Sequence, residues 1–488
     1  MRRDRRRVGM RGSAREEQRD RERARNRMAR IQSAVSYLTS AAELTATAED
    51  ETRRHGAQVH VKARAGALLQ WIGLGAAVGI ACGVASAVFL LLLERATDFR
   101  NGHEVVVYTL PLAGAVIGLV YERWGKAIKG GNNLILDSIH EDSPQIPLRM
   151  APMVLFGTVL THFFGGSAGR EGTAVQMGAS LADAIAHRLR VTKETRRQLL
   201  AAGMAGGFGS VFGTPIAGTV FGIEVVTIGR VGYDALLPAL VASVVGDFVT
   251  RAIGVVHTPY PHIAYVELTP LVLAKLGVVG VAMALATIAF VELTHRLKHL
   301  LETRLPRLPI RMFAGGAAVV VMWKLIGTSD YLGLGVPMIV RSFTDPNLPW
   351  FAFAAKLVFT AVTLSAGFLG GEVTPLFFVG ATLGSVLARL LGLPIELGAG
   401  LGIAAVFGAA ANTPIALSIM AVELLGAAAF PHVMIVTVIA FLLTGHRGIY
   451  PSQRLHLRKL GAALARPVRL RDYDDDDGEK PDPDQRPR

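Results

Sequence analysis

Two glutamates lie in glycine-rich segments where a charge is unexpected, Glu171 in GREGT (169–173) and Glu372 in GGEVT (370–374). Between Lys356 and Arg389, Glu372 is the only acidic or basic side chain. Burying an unpaired carboxylate among apolar residues costs several kcal/mol unless something compensates. We therefore interpret both acids as candidates for holding or passing a proton, or for competing with an anion.

Small residues before each glutamate predict a helix start that could bind an anion. Glycine lets the backbone approach closely, and the first turn of a helix presents unpaired N–H groups at its positive end. The segments GGNNLI (130–135) and GLGVP (333–337) have the same character. Four converging starts would form an anion site that Glu171 occupies and leaves when protonated. The alternative is that Glu171 only caps its helix or pairs with Arg170.

Long apolar runs indicate the elements that must position these loops. Residues 67–93 contain no Asp, Glu, Lys or Arg over 27 positions, and about 20 apolar residues span a bilayer. Similar runs recur as far as residue 443, many of them short or broken by Gly or Pro. Broken backbone survives in lipid only where protein buries it or a cavity adjoins it. We expect an all-α integral membrane protein with discontinuous, tilted helices.

The charge of the chain is concentrated at its two ends. The formal net charge is +13, and residues 1–30 hold 13 arginines against 5 acids. Basic flanks beside apolar spans predict that both termini are cytoplasmic, in a multi-pass protein of the cell membrane. We expect residues 1–66 to form a basic extension that contacts anionic lipid and not nucleic acid. Residues 448–488 form a cytoplasmic tail with a low-complexity acidic end.

The membrane region repeats itself. Residues 201–224 align with residues 400–423 at a shift of 199, which pairs Glu224 with Glu423. Upstream, GREGT aligns with GGEVT, so that Glu171 is paired with Glu372. We expect two transmembrane repeats, 67–255 and 256–447, whose broken helices meet near the midplane. Glu224 and Glu423 are interpreted as structural acids at helix ends.

These motifs resemble the CLC family of chloride channels and anion/proton antiporters over roughly residues 70–450. GREGT is similar to the family's GREGP, GTPIAGTVFGIE to the segment after its NAP or NTP turn, and GGEVTP to its GGxFxP. The resemblance implies two inverted repeats of about 18 helices in all, and a homodimer with one pore in each subunit. It also implies that Glu171 is the gating glutamate and that Tyr450 reaches the central anion.

Departures from the family pattern resemble its fluoride/proton antiporter branch. Asn132 stands where chloride carriers have serine, and Val225 stands where the exchangers have an internal proton acceptor. Glu372 is therefore interpreted as the second coupling acid. The alternative is that Asn132 or Asn133 is simply an N-cap, which would not exclude anion binding. The expected anion-binding residues are Asn132, Gly169, Arg170, Gly172, Gly371, Val373, Thr374 and Tyr450.

We therefore expect a transporter that expels fluoride in exchange for protons. Its partners would be fluoride or chloride, protons, the lipid bilayer and a second copy of the chain. The alternative is a chloride/proton exchanger or a passive chloride channel of the voltage-gated type. An enzyme with paired carboxylates is disfavoured, because no nucleophile setting, phosphate loop or HExxH motif accompanies them. A single cysteine, Cys82, excludes a disulfide framework and a thiolate metal cluster. No motif implies another metal site or a cofactor.

Overall fold

The computed structural model describes residues 65–141, 145–461 and 463–473, together with three isolated positions, 28, 33 and 36. The basic extension before residue 65 and the acidic end after residue 473 lie outside these ranges. Their expected behaviour therefore stays a prediction.

Helices dominate the described part of the chain, which contains sixteen α-helices and five short 3-10 helices. Six helical segments are long and apolar enough to cross a membrane: Ala65–Gly102, Glu104–Trp124, Tyr233–Ala252, Pro270–Arg304, Leu308–Ile326 and Val373–Leu391. The α-helices are α1 Ala65–Gly102, α2 Leu110–Trp124, α3 Asn132–His140, α4 Met150–Phe163, α5 Glu171–Arg188, α6 Lys193–Phe212, α7 Pro215–Glu224, α8 Leu236–Ala252, α9 Pro270–Arg304, α10 Leu308–Ile326, α11 Val336–Arg341, α12 Ala352–Ser365, α13 Val373–Leu391, α14 Ile395–Ala410, α15 Pro414–Leu425 and α16 Phe430–Leu443.

Several helices are too short to cross the bilayer. α7 has 10 residues and α3 has 9, so each is about 15 Å long or less, against a hydrocarbon core of about 30 Å. Proline explains where α7 and α15 begin, since Pro215 and Pro414 each occupy the first helical position. The expected discontinuous helices are thus confirmed, with sixteen α-helices against the about 18 that the resemblance implied.

Glycine pairs bring the site-bearing helices against their neighbours. A Cβ added to Gly178 of α5 would lie 2.2 Å from the carbonyl oxygen of Gly203 in α6. In the second half, a Cβ on Gly380 of α13 would lie 2.0 Å from the carbonyl oxygen of Gly402 in α14. Small residues let membrane helices pack backbone to backbone. Close glycine contacts therefore pack α5 against α6 and α13 against α14 in the same way. Glu171 and Glu372 lie at the starts of α5 and α13.

Each half of the molecule supplies the helix cap that the other half needs. The carboxylate of Glu224, at the end of α7, accepts hydrogen bonds from the first turn of α15, including one of 2.8 Å from the amide of Ala416. The carboxylate of Glu423 does the same for α7, at 2.7 Å from the amide of Ala217. Carboxylates satisfy the orphan amides at the positive end of a helix. Both acids therefore cap a helix, as the sequence interpretation expected, and the two contacts between α7 and α15 are reciprocal.

A small three-stranded sheet adds to the helical fold. β1 (Thr227–Ile228) pairs in parallel with β2 (Arg454–Leu457), and β2 pairs antiparallel with β3 (Ala463–Arg469). Glu141, in the loop after α3, binds arginines of both β2 and β3 through its Oε1 atom. The chain after α16 is thereby fixed against α3, which carries a predicted anion ligand at its start.

Candidate functional site

The loops that precede α5 and α13 are joined by a two-residue bridge. The amide of Gly169 donates to the carbonyl of Gly371 at 2.6 Å, and the amide of Gly371 donates back at 2.8 Å. A Cβ on Gly169 would lie 2.8 Å from that carbonyl oxygen, and a Cβ on Gly371 would lie 2.7 Å from the amide nitrogen of Gly172. Only glycine permits this approach, so the bridge explains the glycines before both glutamates.

Across this bridge, Glu171 reaches the start of α13. Its side chain is fully buried, and its Oε1 atom accepts a hydrogen bond from the hydroxyl of Thr374. Its Oε2 atom lies 3.1 Å from the amide nitrogen of Thr374 and 3.1 Å from that of Arg170. The Arg170 Nε atom lies 3.6 Å from Oε1. The carboxyl group of the first residue of α5 is therefore held at the N-terminus of α13.

This geometry places a carboxylate among donors that could also bind a small anion. Thr374 is the second residue of α13, where the main-chain N–H has no partner within its own helix. A hydroxyl and an amide aimed at one point, beside a positive helix end, bind any small anion of suitable size. Among the predicted ligands, the structure thus brings together Glu171, Thr374 and the backbone of Arg170.

Glu372 is placed differently from its counterpart. It is the N-cap residue of α13, and its side chain is partly exposed while the residues that follow it in that helix are buried. Among the described residues, its carboxylate has no hydrogen bond to another residue. It lines a cavity of about 530 Å³ together with Lys298 at the end of α9. Of the two repeat-related glutamates, Glu171 is therefore bound by hydrogen-bond donors, whereas Glu372 lines a cavity.

A second, small cavity lies beside Asn132. Its volume is about 10 Å³, and its lining includes Asn132, Tyr450 and Val225. A volume of about 10–15 Å³ holds one water-sized species. The Oδ1 atom of Asn132 is buried without a hydrogen-bond partner in the described structure. The structure thus places Asn132 and Tyr450 around one small pocket, with the apolar Val225 in the same wall.

The side chain of Asn132 does not cap α3. The N-cap residue is Gly131, whose φ of 55° lies in the left-handed region, and no side chain caps this helix. The neighbouring Asn133 has another partner, because its Oδ1 atom accepts a 3.0 Å hydrogen bond from the amide of Ser452. Asn133 therefore ties α3 to the segment after α16, and Asn132 is left beside the pocket.

Gly172 lies between the two cavities. A Cβ on Gly172 would lie 3.3 Å from Nδ2 of Asn132 and 4.0 Å from Oε2 of Glu372. Both side chains therefore approach the same point of the α5 backbone. Val373, the remaining predicted ligand, is the first residue of α13 and is buried next to Thr374.

Some polar residues at the site were not foreseen from the sequence. The hydroxyls of Thr158 in α4 and Thr173 in α5 are hydrogen-bonded at 2.7 Å and line the larger cavity, as does Gln176. A signal was present for Gln176, which is a polar residue within the apolar start of α5. No sequence signal pointed to Lys298, which reads as an ordinary basic residue at a helix end.

Comparisons with known proteins agree with this architecture. A model of the voltage gated chloride channel family matches residues 113–445, more than half of the chain. A chloride/fluoride channel protein of Pseudomonas syringae pv. tomato is 47% identical over 414 residues, which cover 83% of this chain and 91% of that protein.

Solved structures give the same result. The crystal structure of a CLC-type fluoride/proton antiporter is 37% identical with a TM-score of 0.77, and the match covers 80% of this chain and 98% of the other. A slow cyanobacterial chloride/proton antiporter, at 18% identity and a TM-score of 0.67, shares the fold.

Proposed function

Since this chain belongs to the voltage gated chloride channel family, we propose that it is a fluoride/proton antiporter that moves fluoride out of the cell and protons in. Two similar proteins support the substrate, one named a chloride/fluoride channel and one a fluoride/proton antiporter. The alternative within the family is a chloride/proton exchanger, the activity named for relatives at 26–27% identity, or a passive chloride channel.

The contact of Glu171 with Thr374 is the observation that carries this proposal. The Glu171 carboxylate accepts hydrogen bonds from the hydroxyl and the amide of Thr374, and these two donors could instead bind an anion. When Glu171 takes up a proton it loses its charge and its hold on these donors weakens. Fluoride, a small and strongly hydrated anion, could then use the same donors in place of its water. One carboxylate thereby couples anion entry to proton binding.

Glu372 would supply the second ionisable group of the cycle. Val225 offers no proton acceptor at the small pocket, whereas Glu372 lies at the repeat-related position and reaches a cavity. Its Oε2 atom approaches the backbone of α5 one residue after Glu171. A proton taken up by Glu372 could therefore be passed towards Glu171. In this scheme, Glu171 gates the anion and Glu372 supplies its proton.

The size of the small pocket favours fluoride. A cavity of about 10 Å³ accepts one water-sized species. Fluoride is about the size of a water molecule. Chloride is larger, so the walls of the pocket would have to move apart to admit it. The amide of Asn132 offers two N–H donors where a serine offers one hydroxyl. Fluoride is harder to dehydrate than chloride, so it is better served by the additional hydrogen-bond donor.

Ion flux into and out of liposomes tests the proposal. We expect the purified protein to carry fluoride at least ten times faster than chloride, and a pH gradient to drive fluoride uphill. Glu171→Gln should abolish the proton-coupled movement, since the amide cannot alternate between anion and acid. Equal fluoride and chloride fluxes would favour chloride as the substrate. A fluoride flux that does not depend on the pH gradient would contradict antiport.

We further propose that the protein is a homodimer. Ile216 in the first turn of α7 and Ile415 in the first turn of α15 are repeat-related, and 45% and 43% of their surfaces are exposed. These apolar residues lie on neighbouring short helices and would be covered by a second copy. Mass measurement of the detergent-solubilised protein tests this, with Ile216→Trp expected to yield monomers.

The proposed location is the cell membrane, with both termini in the cytoplasm. The arginine-rich first 30 residues and the basic segment after α16 support this orientation. Tags placed at either terminus should be accessible to protease only after the membrane is permeabilised.

A further inference from the structure

One wall of the small pocket beside Asn132 does not lie on a helix. The other lining residues belong to α3, α5, α6 and α7 or directly follow α7, whereas Tyr450 belongs to the irregular segment 447–453 between α16 and β2. A larger anion enters only if a wall moves, and irregular segments move more easily than packed helices. The size of the pocket therefore depends on what fixes Tyr450.

The side chain of Gln453 ties this segment to both halves of the membrane region. It is fully buried, and its Nε2 atom donates to the main-chain carbonyls of Val225 and Ala411, each at 2.8 Å. These two residues are the C-caps of α7 and α14, where helix carbonyls lack partners within their own helix. The main-chain amide of Gln453 donates to the carbonyl of Tyr450 at 3.0 Å. The turn that carries Tyr450 is thus anchored at its end.

Asn412 holds the same turn from its other side. Its Nδ2 atom donates to the Oε1 atom of Gln453 at 3.0 Å and to the carbonyl of Arg447 at 3.3 Å. Gln453 and Arg447 lie on the two sides of Tyr450 in the chain, so one amide group holds both flanks. Gly448 leaves room for this contact, because a Cβ there would lie 2.6 Å from Nδ2 of Asn412.

The repeat separates the role of the Asn412 side chain from that of its backbone. Asn412 has a φ of 58°, and Gly213, its counterpart at the shift of 199, has a φ of 72°. Glycine adopts this left-handed conformation readily, and it suffices for the turn in the first half. The asparagine of the second half adds the two hydrogen bonds to the segment of Tyr450. Its side chain therefore serves this contact and not the turn.

We propose that Asn412 and Gln453 form an amide clamp that fixes Tyr450 and thereby keeps the small pocket too narrow for chloride. Both are positioning residues, because neither lines the pocket and both act through Tyr450. The inference rests on the proposed fluoride transport and names residues that set its selectivity. Glutamine suits this place because one side chain supplies two donors and an acceptor. Buried amide groups that have found their partners hold one geometry.

Two variants loosen the clamp without changing a residue of the pocket. Gln453→Met keeps an unbranched side chain of similar length but removes both donors. Asn412→Gly removes the amide and keeps a residue that adopts the left-handed conformation. Gln145→Met and Asn347→Gly are the matched controls, because both positions are exposed. The dissociation constants of fluoride and chloride are measured by titration calorimetry for each purified protein.

Selectivity should fall when the clamp is loosened. We expect the ratio of the chloride Kd to the fluoride Kd to fall at least tenfold in Gln453→Met and at least threefold in Asn412→Gly. The controls should change this ratio less than twofold. Because the clamp acts through Tyr450, adding Gln453→Met to Tyr450→Ala should also change the ratio less than twofold. Residues that only stabilised the fold would lower the midpoint of thermal unfolding and leave the ratio unchanged.

The position of Tyr450 is followed independently of anion binding. 3-Fluorotyrosine is placed at position 450 alone, and its fluorine resonance is recorded by NMR. The resonance should shift or broaden in both clamp variants and stay unchanged in both controls. If Gln453→Met does not fold, Asn412→Gly carries the same test.

Two outcomes would overturn the clamp. In one, the resonance of residue 450 is the same in the clamp variants as in the unchanged protein. In the other, the resonance moves but the ratio of the two Kd values does not, which would leave both amides a purely structural role. Failure of the proposed function is recognised separately, because the unchanged protein would then bind chloride as tightly as fluoride. The fluorine resonance would still show in that event whether the clamp holds Tyr450.

Discussion

The carboxylate of Glu171 accepts hydrogen bonds from both the hydroxyl and the main-chain amide of Thr374, although 203 positions separate the two residues in the chain. The contact joins the first residue of α5 to the start of α13. In the proposed cycle, Glu171 would need only to lose its charge to release these donors to an anion.

Removal of the Thr374 hydroxyl should weaken anion binding. A hydrogen bond to a charged group contributes about 1.5–3 kcal/mol, so Thr374→Val should lower fluoride affinity by about 10- to 150-fold. Titration calorimetry measures the change. Thr382→Val is the matched control, because that hydroxyl bonds only to main-chain carbonyls further along the same helix. Unchanged affinity in Thr374→Val would remove this hydroxyl from the anion site.

Neutralisation of Glu372 should uncouple the two ions. Glu372→Gln keeps the shape of the side chain but cannot carry a proton, so we expect proton flux to fall at least tenfold relative to fluoride flux. Parallel recordings of fluoride and pH in liposome suspensions give the ratio. Glu267→Gln, in the exposed loop before α9, is the control. An unchanged ratio in Glu372→Gln would show that this acid is not part of the proton path.

Loss of either crossed helix cap should destabilise the fold. Glu224→Ala or Glu423→Ala leaves two main-chain amides without their acceptor, and leaving a buried amide such as that of Ala416 unsatisfied costs about 1–3 kcal/mol. Thermal unfolding in detergent should show a lower midpoint for both variants. Because the two caps are equivalent in the two repeats, variants whose midpoints match that of the unchanged protein would contradict the structural role.

Acid should release the strands that follow α16. Partial burial raises the pKa of Glu141, but its hydrogen bond to Arg469 and the charges of Arg469 and Arg454 outweigh this, and the net pKa is lowered. Because the pKa is lowered when the strands are docked, the charged carboxylate stabilises docking at any pH above its usual pKa near 4.5. This stabilisation is lost as the pH falls through the lowered pKa. Docking should therefore be constant from pH 5 to 8.

A dye on Leu457→Cys, in the Cys82→Ser background, reports the docking of β2 through its anisotropy, because Leu457 is part of that strand and partly exposed. We expect the anisotropy to decrease only once the pH has dropped below the usual carboxyl value near 4.5. In Glu141→Gln it should be low at every pH, and high anisotropy there would show that the ion pairs do not hold the strands.

Much of the site followed from the sequence because the repeat aligned its parts. GREGT and GGEVT placed Glu171 and Glu372 at two helix starts, and both helices begin within two residues of these glutamates. The difference between the two acids could not be foreseen, since it depends on which side chain crosses the glycine bridge and which faces a cavity. Local sequence carries no information about a contact across 203 positions.

The contacts made by the end of the chain could not be predicted from the sequence either. The basic segment RLHLRKL reads as a surface tail, yet its first residues form β2 because β1 lies beside them in space. The partner that fixes it, Glu141, is separated from Arg454 by 313 positions. Charge composition alone predicts orientation in the membrane and not such a pairing.

The crossed caps of Glu224 and Glu423 are one contact made twice. A single repeat has a carboxylate at the end of one short helix and bare amides at the start of that same helix, so it could satisfy neither alone. Two identical copies in a two-fold arrangement could satisfy both at once. Within one chain, the two caps thus form the kind of contact that an interface between two symmetric subunits would contain.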